Sequence, residues 1–243
     1  MHITIKDLHK RFGDNHVLKG LNLAIEKGKI TVIVGGSGVG KSVLLKLIMG
    51  LIRPDSGEIY IDGTDITRLT ERQLLPLRRK IGLVFQSGGL LNSLNVEENI
   101  ALPLKEHRLA EPGKIASIVS EKLELMDLGG KEQEMPSSLS GGMKKRVSIA
   151  RSLALNPESM LFDEPTSALD PPMAETIDNL ILRLNKEMGM TTVVVTHDLH
   201  SIFKIADTIS MLHDGAIIES GTPAEFKRSA NEYVKDFLHR MNA

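Results

Sequence analysis

Gly35-Gly36-Ser37-Gly38-Val39-Gly40-Lys41-Ser42 is the stretch on which the reading of this chain turns. It fits G-x-x-x-x-G-K-[ST], the pattern of a phosphate-binding loop. The residues ahead of it, Ile30-Thr31-Val32-Ile33-Val34, predict a short buried strand, and those after it, Val43 to Met49, predict a helix. Phosphate binding needs that order. A strand delivers the chain to a tight turn whose N–H groups converge as an anion nest. The helix then adds the positive end of its dipole. Side chains would obstruct the phosphate, which accounts for four glycines in eight residues. In such a loop Lys41 is expected to reach the β- and γ-phosphates, and the Ser42 hydroxyl to bind Mg²⁺.

The chain has 243 residues, enough for one large α/β unit or a core with a helical insert. Net charge is −1, from 30 basic and 31 acidic residues with no block of one sign, so composition points to no nucleic-acid or anionic-membrane partner. With no cysteine, a disulfide framework and a thiolate metal site are both excluded, and a reducing cytoplasm fits. Residues 1–7 alternate like a strand rather than a signal peptide. No apolar run approaches 18 residues, so any membrane role is expected to come through a partner. Six Phe, two Tyr and no Trp leave little for a base-stacking platform.

In chain order, residues 3–8 and 17–25 predict antiparallel strands around a turn at Gly13-Asp14-Asn15. Phe12 stands before that turn, either as an ordinary edge residue or as a flat aromatic face for a nucleobase. Residues 57–62 and 63–67 predict a hairpin at Asp62-Gly63. A short helix over 70–79, which Pro76 could kink, precedes a buried strand over 81–85. Gln86 follows, then Ser87-Gly88-Gly89. From about 96 to 135 the pattern turns helical, clearest over 114–126. Pro136-Ser137-Ser138-Leu139 breaks it, and Ser140-Gly141-Gly142 opens a further helix to about 155, as a plain helix cap or as a second anion site.

Residues 159–162 predict a buried strand ending in Asp163-Glu164, where α/β sheets place ligands. Carboxylates there suit a cation or a substrate. Asp163 fits Mg²⁺, bound directly or through water, and Glu164 fits the polarisation of a water; an exposed acidic turn is the bland alternative. A helix over 171–188 and a strand over 191–196 lead to His197-Asp198, where His197 is either a capped loop residue or a catalytic one. Strands over 208–212 and 216–219 and a helix over 223–240 complete the chain.

Taken together, these motifs resemble the nucleotide-binding subunit of an ABC transporter. The resemblance rests on 35–42, Gln86, Leu139-Ser140-Gly141-Gly142-Met143, Met160-Leu161-Phe162-Asp163-Glu164, Ser167-Ala168-Leu169-Asp170 and His197, in the family's order and spacing. It implies an α/β P-loop NTPase core of mixed sheet with helices, plus an antiparallel β subdomain and a helical subdomain. The whole of 1–243 would be one ABC ATPase domain. A RecA-like core with the β subdomain would take 1–85 and 156–243, and the helical signature subdomain about 96–155. It also implies a head-to-tail homodimer holding two ATP molecules with Mg²⁺. Each site would take Gly35, Gly36, Ser37, Gly38, Val39, Gly40, Lys41, Ser42, Gln86, Asp163, Glu164 and His197 from one subunit, and Ser140, Gly141 and Gly142 from the other. By position, Phe12 would stack on adenine, Glu164 act as general base, His197 contact the γ-phosphate, Gln86 sense Mg²⁺ and water, and Asp170 link the two sites. Mg²⁺ would be held by Ser42, Gln86 and Asp163.

The family's signature usually ends in glutamine, where this chain has Met143. That variant, with Phe85-Gln86-Ser87-Gly88-Gly89-Leu90-Leu91 and the 99–107 segment, resembles the Mla/Mce lipid-transport branch. The implied partners are an MlaE-type integral-membrane permease and an MCE-domain protein, which would place the chain on the cytoplasmic face of the cell (inner) membrane. Some systems add a STAS-domain protein, held in some members by a C-terminal extension. Here the chain stops at Ala243, soon after its last helix, an expectation against that partner. An importer of a polar solute such as an amino acid is the alternative within transporters. Chromosome-maintenance ATPases place long coiled coils between loop and signature, whereas only 97 residues (43–139) separate Ser42 from Ser140 here. Translation members usually carry two cassettes; this chain has one.

Overall fold

The computed structural model describes residues 2–107 and 111–240; Met1, the first residue of the alternating 1–7 stretch, and Ala243 lie outside the described residues. The chain opens with an antiparallel pair, β1 (Ile3–Phe12) and β2 (Asn15–Ile25), in which Ile3 faces Ile25 and Phe12 faces Asn15. β3 (Ile30–Val34) follows, buried at all five positions, and the phosphate loop connects it to α1 (Lys41–Ile48). β4 (Ser56–Ile61) and β5 (Thr64–Asp65) form the hairpin read at Asp62-Gly63. Both turn residues are left-handed, with φ 47° and 81°, the backbone a two-residue hairpin requires. The first sheet therefore runs β2-β1-β4-β5, all antiparallel.

Next come α2 (Glu71–Arg79), which continues through Pro76, and β6 (Ile81–Val84). The helical region holds α3 (Val96–Glu106), α4 (Pro112–Leu125), a 3₁₀ turn (Pro136–Ser138) and α5 (Gly141–Leu153). Asn95 caps α3 in a box with Glu98, and the fully buried Asn99 bonds the backbone at Leu91 and Leu94. The remaining elements are β7 (Ser159–Asp163), α6 (Pro171–Met188), β8 (Thr191–Val195), α7 (Leu199–Ile205), β9 (Thr208–His213), β10 (Ala216–Gly221), α8 (Pro223–Lys227) and α9 (Glu232–Arg240).

The second sheet runs β10-β9-β3-β8-β7-β6 and is parallel except for β10. Its central strands are apolar on both faces because both faces are covered, as parallel sheets require. Ile33, Leu161 and Val193 face a core shared with α1 and the first sheet. Val32, Phe162 and Val194 face a core shared with the helices, which continues through Ile100, Val119 and Val147 into the helical region. The phosphate loop, the acidic pair and the histidine all leave the C-terminal ends of neighbouring strands β3, β7 and β8. That is where open α/β sheets collect their ligands.

One expectation is corrected. The single helix over 223–240 is two helices, because a polar turn interrupts it: Ser229 Oγ bonds Glu219, and the Asn231 N–H bonds Ser229 Oγ. The segment after His197-Asp198 is helix α7, capped by Asp198 through the His200 N–H.

Candidate active site

The phosphate loop is shaped by two close backbone approaches. At Gly35 (φ 152°) a Cβ would lie 2.3 Å from the Leu212 carbonyl oxygen. At Gly40 (φ 108°), the residue capping α1, it would lie 2.8 Å from Val17 Cγ1. Packing against the chain's own strands, rather than room for phosphate, is what demands glycine at these two places. Lys41 opens α1, is 8% exposed, and donates from Nζ to the carbonyl oxygens of Gly35 and Gly36, each at 2.9 Å. Burial pushes its ammonium pKa down, against the opposing pull of Glu164 and Asp163. An anion in the loop would give this cation the partner that burial otherwise denies it.

Ser42 Oγ donates to Asp163 Oδ1 at 2.9 Å. Burial raises the Asp163 carboxyl above its ordinary value, and the charge of Glu164 adds to this, while the Ser42 bond and the Lys46 and Lys41 charges oppose it. Among the described residues no group of three or more His, Cys, Asp or Glu could hold a metal. A cation at Ser42 and Asp163 would thus draw its other ligands from phosphate oxygens and water, the habit of Mg²⁺. The hydroxyl, the carboxylate and their hard-oxygen chemistry fit that ion.

Glu164 follows in a left-handed conformation (φ 48°) that turns the chain off β7, with its N–H bonded to the Val195 carbonyl at 2.8 Å. Its carboxylate lies 3.0 Å (Oε1) and 2.9 Å (Oε2) from His197 Nδ1. A cleft of about 380 Å³ opens between these groups, lined by Ser37, Gly38, Gly40, Lys41, Ser42, Gln86, Glu164 and His197. Cationic and N–H donors on one wall and a carboxylate–imidazole pair on the other can hold a polyphosphate and activate a water beside it.

Some expected site residues stand elsewhere. Phe12 ends β1 with its ring half exposed and Lys10 Nζ 5.3 Å from its centroid; it does not line the cleft. Ser140 caps α5 by accepting from the Met143 N–H at 3.3 Å. Neither Ser140 nor Gly142 lines the phosphate cleft of its own chain, and Gly141 lines an adjacent one with Gln86 and Asp163. Asp170 caps α6 through the Met173 N–H at 2.9 Å.

Lys145, which the sequence reading passed over, is buried at 6% exposure. Its Nζ donates to the carbonyl oxygen of Gln86 and, at 3.2 Å, to that of Glu164. The available signal was helical spacing: Gly142, Lys145, Ser148 and Ile149 share the buried face of α5, where a lysine needs a reason.

This fold and cleft define a P-loop nucleotide hydrolase. The chain belongs to the ABC transporter family, whose model matches residues 18–167. It is 42% identical over 236 residues to the "Intermembrane phospholipid transport system ATP-binding protein MlaF" of Haemophilus influenzae, covering 97% of this chain and 89% of that protein. It is 44% identical over 219 residues to the "Methionine import ATP-binding protein MetN" of Mesorhizobium japonicum, covering 90% of this chain but 60% of that protein. The dimeric, post-hydrolysis structure of the ATP-binding cassette MJ0796 with ADP and Pi superposes with a TM-score of 0.83 at 37% identity, covering 90% of this chain and 98% of that one. The chain is an ABC transporter ATP-binding subunit, an ATPase whose hydrolysis is coupled to transport.

Proposed function

We propose that this ATPase powers movement of phospholipid or another hydrophobic molecule across or between envelope membranes. The observation that carries the reading is the similarity to the Haemophilus influenzae phospholipid-transport subunit, which runs nearly end to end in both proteins. Met143 in place of the usual glutamine supports the same branch. The similarity to a methionine importer supports a second reading, a polar solute, although it spans a smaller share of that relative.

In this reading the backbone of Gly35–Ser42 and the Lys41 ammonium bind the β- and γ-phosphates of ATP. Ser42 and Asp163, with Gln86 at the cleft wall, hold Mg²⁺, which supplies charge neutralisation at the phosphates. Glu164 takes the proton of the attacking water, oriented by His197, which also faces the γ-phosphate. Phe12 stacks on adenine. Ser140, Gly141 and Gly142 serve the γ-phosphate of a second copy in a head-to-tail dimer, which accords with their position outside their own chain's cleft and with the dimeric cassette cited above. Asp170 links the two sites, and the helical region with the Gln86 loop engages an integral-membrane permease at the cytoplasmic face. The core with its β subdomain takes 1–85 and 156–243, and the helical subdomain about 96–155. An MCE-domain protein completes the complex; a STAS-domain protein is not part of the proposal.

The test is affinity purification of the tagged chain from detergent-solubilised membranes of its own host, with mass spectrometry of proteins and lipids. The reading expects a multispanning permease and an MCE-domain protein with bound phospholipid. A complex with a periplasmic solute-binding protein and no MCE-domain protein would replace it with the polar-solute reading.

A further inference from the structure

The face of α5 that meets the Gln86 loop is a row of side-chain donors aimed at backbone carbonyls. Ser148 Oγ bonds the Gly88 oxygen at 2.6 Å, Arg151 bonds the oxygens of Gly88 and Gly89 at 3.1 and 2.7 Å, and Ser152 Oγ bonds that of Leu83 at 3.0 Å. Lys145 begins the row and differs from the rest in spanning two segments. One N–H of its ammonium goes to the Gln86 carbonyl and another to the Glu164 carbonyl, joining the ends of β6 and β7 to the first turns of α5.

We propose that Lys145 is a positioning residue for hydrolysis, fixing Gln86 and Glu164 in one geometry through their carbonyl oxygens; this rests on the reading of Glu164 as the base and Gln86 as a cleft residue. Glu164 is a non-glycine residue at φ 48°, a conformation that relaxes unless its surroundings hold it. Its carbonyl is held by Lys145 Nζ and by Ser167 Oγ at 2.9 Å, so its carboxylate is aimed at His197 from a fixed backbone. Gln86 has its carbonyl drawn to Lys145 while the residue lines the phosphate cleft. A buried ammonium is costly unless hydrogen-bonded and charge-compensated. Here two carbonyls supply the bonds, and Asp163 and Glu164 lie close enough to supply compensating charge.

The test is Lys145→Met, which removes the donors at similar volume, read by steady-state ATPase kinetics and native-state hydrogen exchange. The expected result is a fall in kcat of about tenfold or more, ~1.4 kcal/mol in the barrier, with the KM for ATP within about threefold of wild type. Exchange should quicken at the amides of Gly88 and Ser167, which bond the Phe85 and Glu164 carbonyls, while β1–β2 keeps its protection. Lys145→Gln, which retains two N–H donors, should recover part of kcat. An unchanged kcat in Lys145→Met, or exchange that rises uniformly with loss of ATP binding, overturns the proposal. If Lys145→Met does not fold, Lys145→Leu, which also removes the donors, decides: faster exchange confined to the two loops with lowered kcat supports the proposal, and wild-type values in both refute it. Turnover retained in Glu164→Gln would remove the base reading instead, while the exchange pattern would still report whether Lys145 holds the two loops.

Discussion

Glu164 and His197, 33 residues apart, meet at 2.9–3.0 Å because their strands are parallel neighbours in register. Asp163 at the end of β7 lies opposite Val195 at the end of β8, so the residues just beyond both ends converge. A proton on Nδ1 donated to the carboxylate leaves Nε2 as the free ring nitrogen. The pair is suited to take a proton from water on one side and to touch phosphate on the other.

Glu164→Gln is expected to lower kcat by about 10²–10⁴-fold, the usual contribution of a positioned base. ATP binding should persist, and the variant should accumulate as dimer in ATP on size-exclusion chromatography. An unchanged hydrolysis rate removes Glu164 as the base.

His197→Ala should lower kcat by roughly tenfold to a hundredfold, through loss of orientation rather than of the base itself. The double variant with Glu164→Gln should be little slower than Glu164→Gln alone, because groups that act as a unit are not additive. Multiplicative losses in steady-state kinetics would show that the two act separately.

Lys41→Ala should abolish ATP binding or turnover, measured by calorimetry and phosphate release. The protein should remain folded, since the cation is lost together with its burial penalty. Normal ATPase activity would overturn the assignment of the loop.

Gly35→Ala should destabilise the fold by about 2 kcal/mol or more, because its Cβ would meet a backbone oxygen at 2.3 Å that cannot rotate away. Gly13→Ala, also at positive φ but with nothing within 4 Å, should cost only about 1 kcal/mol of backbone strain. Thermal unfolding of the pair separates the two causes.

Asp178 tests the effect of pH on stability. It is fully buried on α6, Ser201 Oγ bonds its Oδ2 at 2.8 Å, and its Oδ1 has no partner among the described residues. Burial raises its carboxyl pKa above 3.8, with the Asp198 charge in the same direction and the Ser201 bond opposing. A raised folded value means its contribution is fully present below about pH 3.8 and is lost as pH climbs through that folded value. Wild type should therefore lose Tm relative to Asp178→Asn as pH rises from 4 to 8 in a series of thermal-unfolding measurements. A difference in Tm that does not change with pH would refute the assignment.

The strand–loop–helix around Gly35–Ser42, the Asp62-Gly63 hairpin and the acidic end of β7 were legible in the sequence because each is local. A strand of β-branched residues, a glycine turn and a helical period are set by neighbours within a few positions. The break between the two C-terminal helices is not legible in the sequence, for the complementary reason. Its period runs through 223–240, but Ser229 is drawn to Glu219 on β10, a contact no helical pattern encodes.

From its sequence alone this chain specified the motifs and their order, and with them the glycine loop before α1 and the acids at the end of β7, since short-range backbone preferences suffice for such features. The tertiary structure alone decided what those motifs touch. It set the buried His2 between Asp62 and the hydroxyl of Ser159, 157 residues away. It showed that Gly35 and Gly40 are constrained by Leu212 and Val17. It laid Lys145 across Gln86 and Glu164, 59 and 19 residues off. The reason is sheet order: β3, β8 and β7 lie side by side although far apart in sequence, so hydrogen bonds between their ends exist only once the sheet has formed.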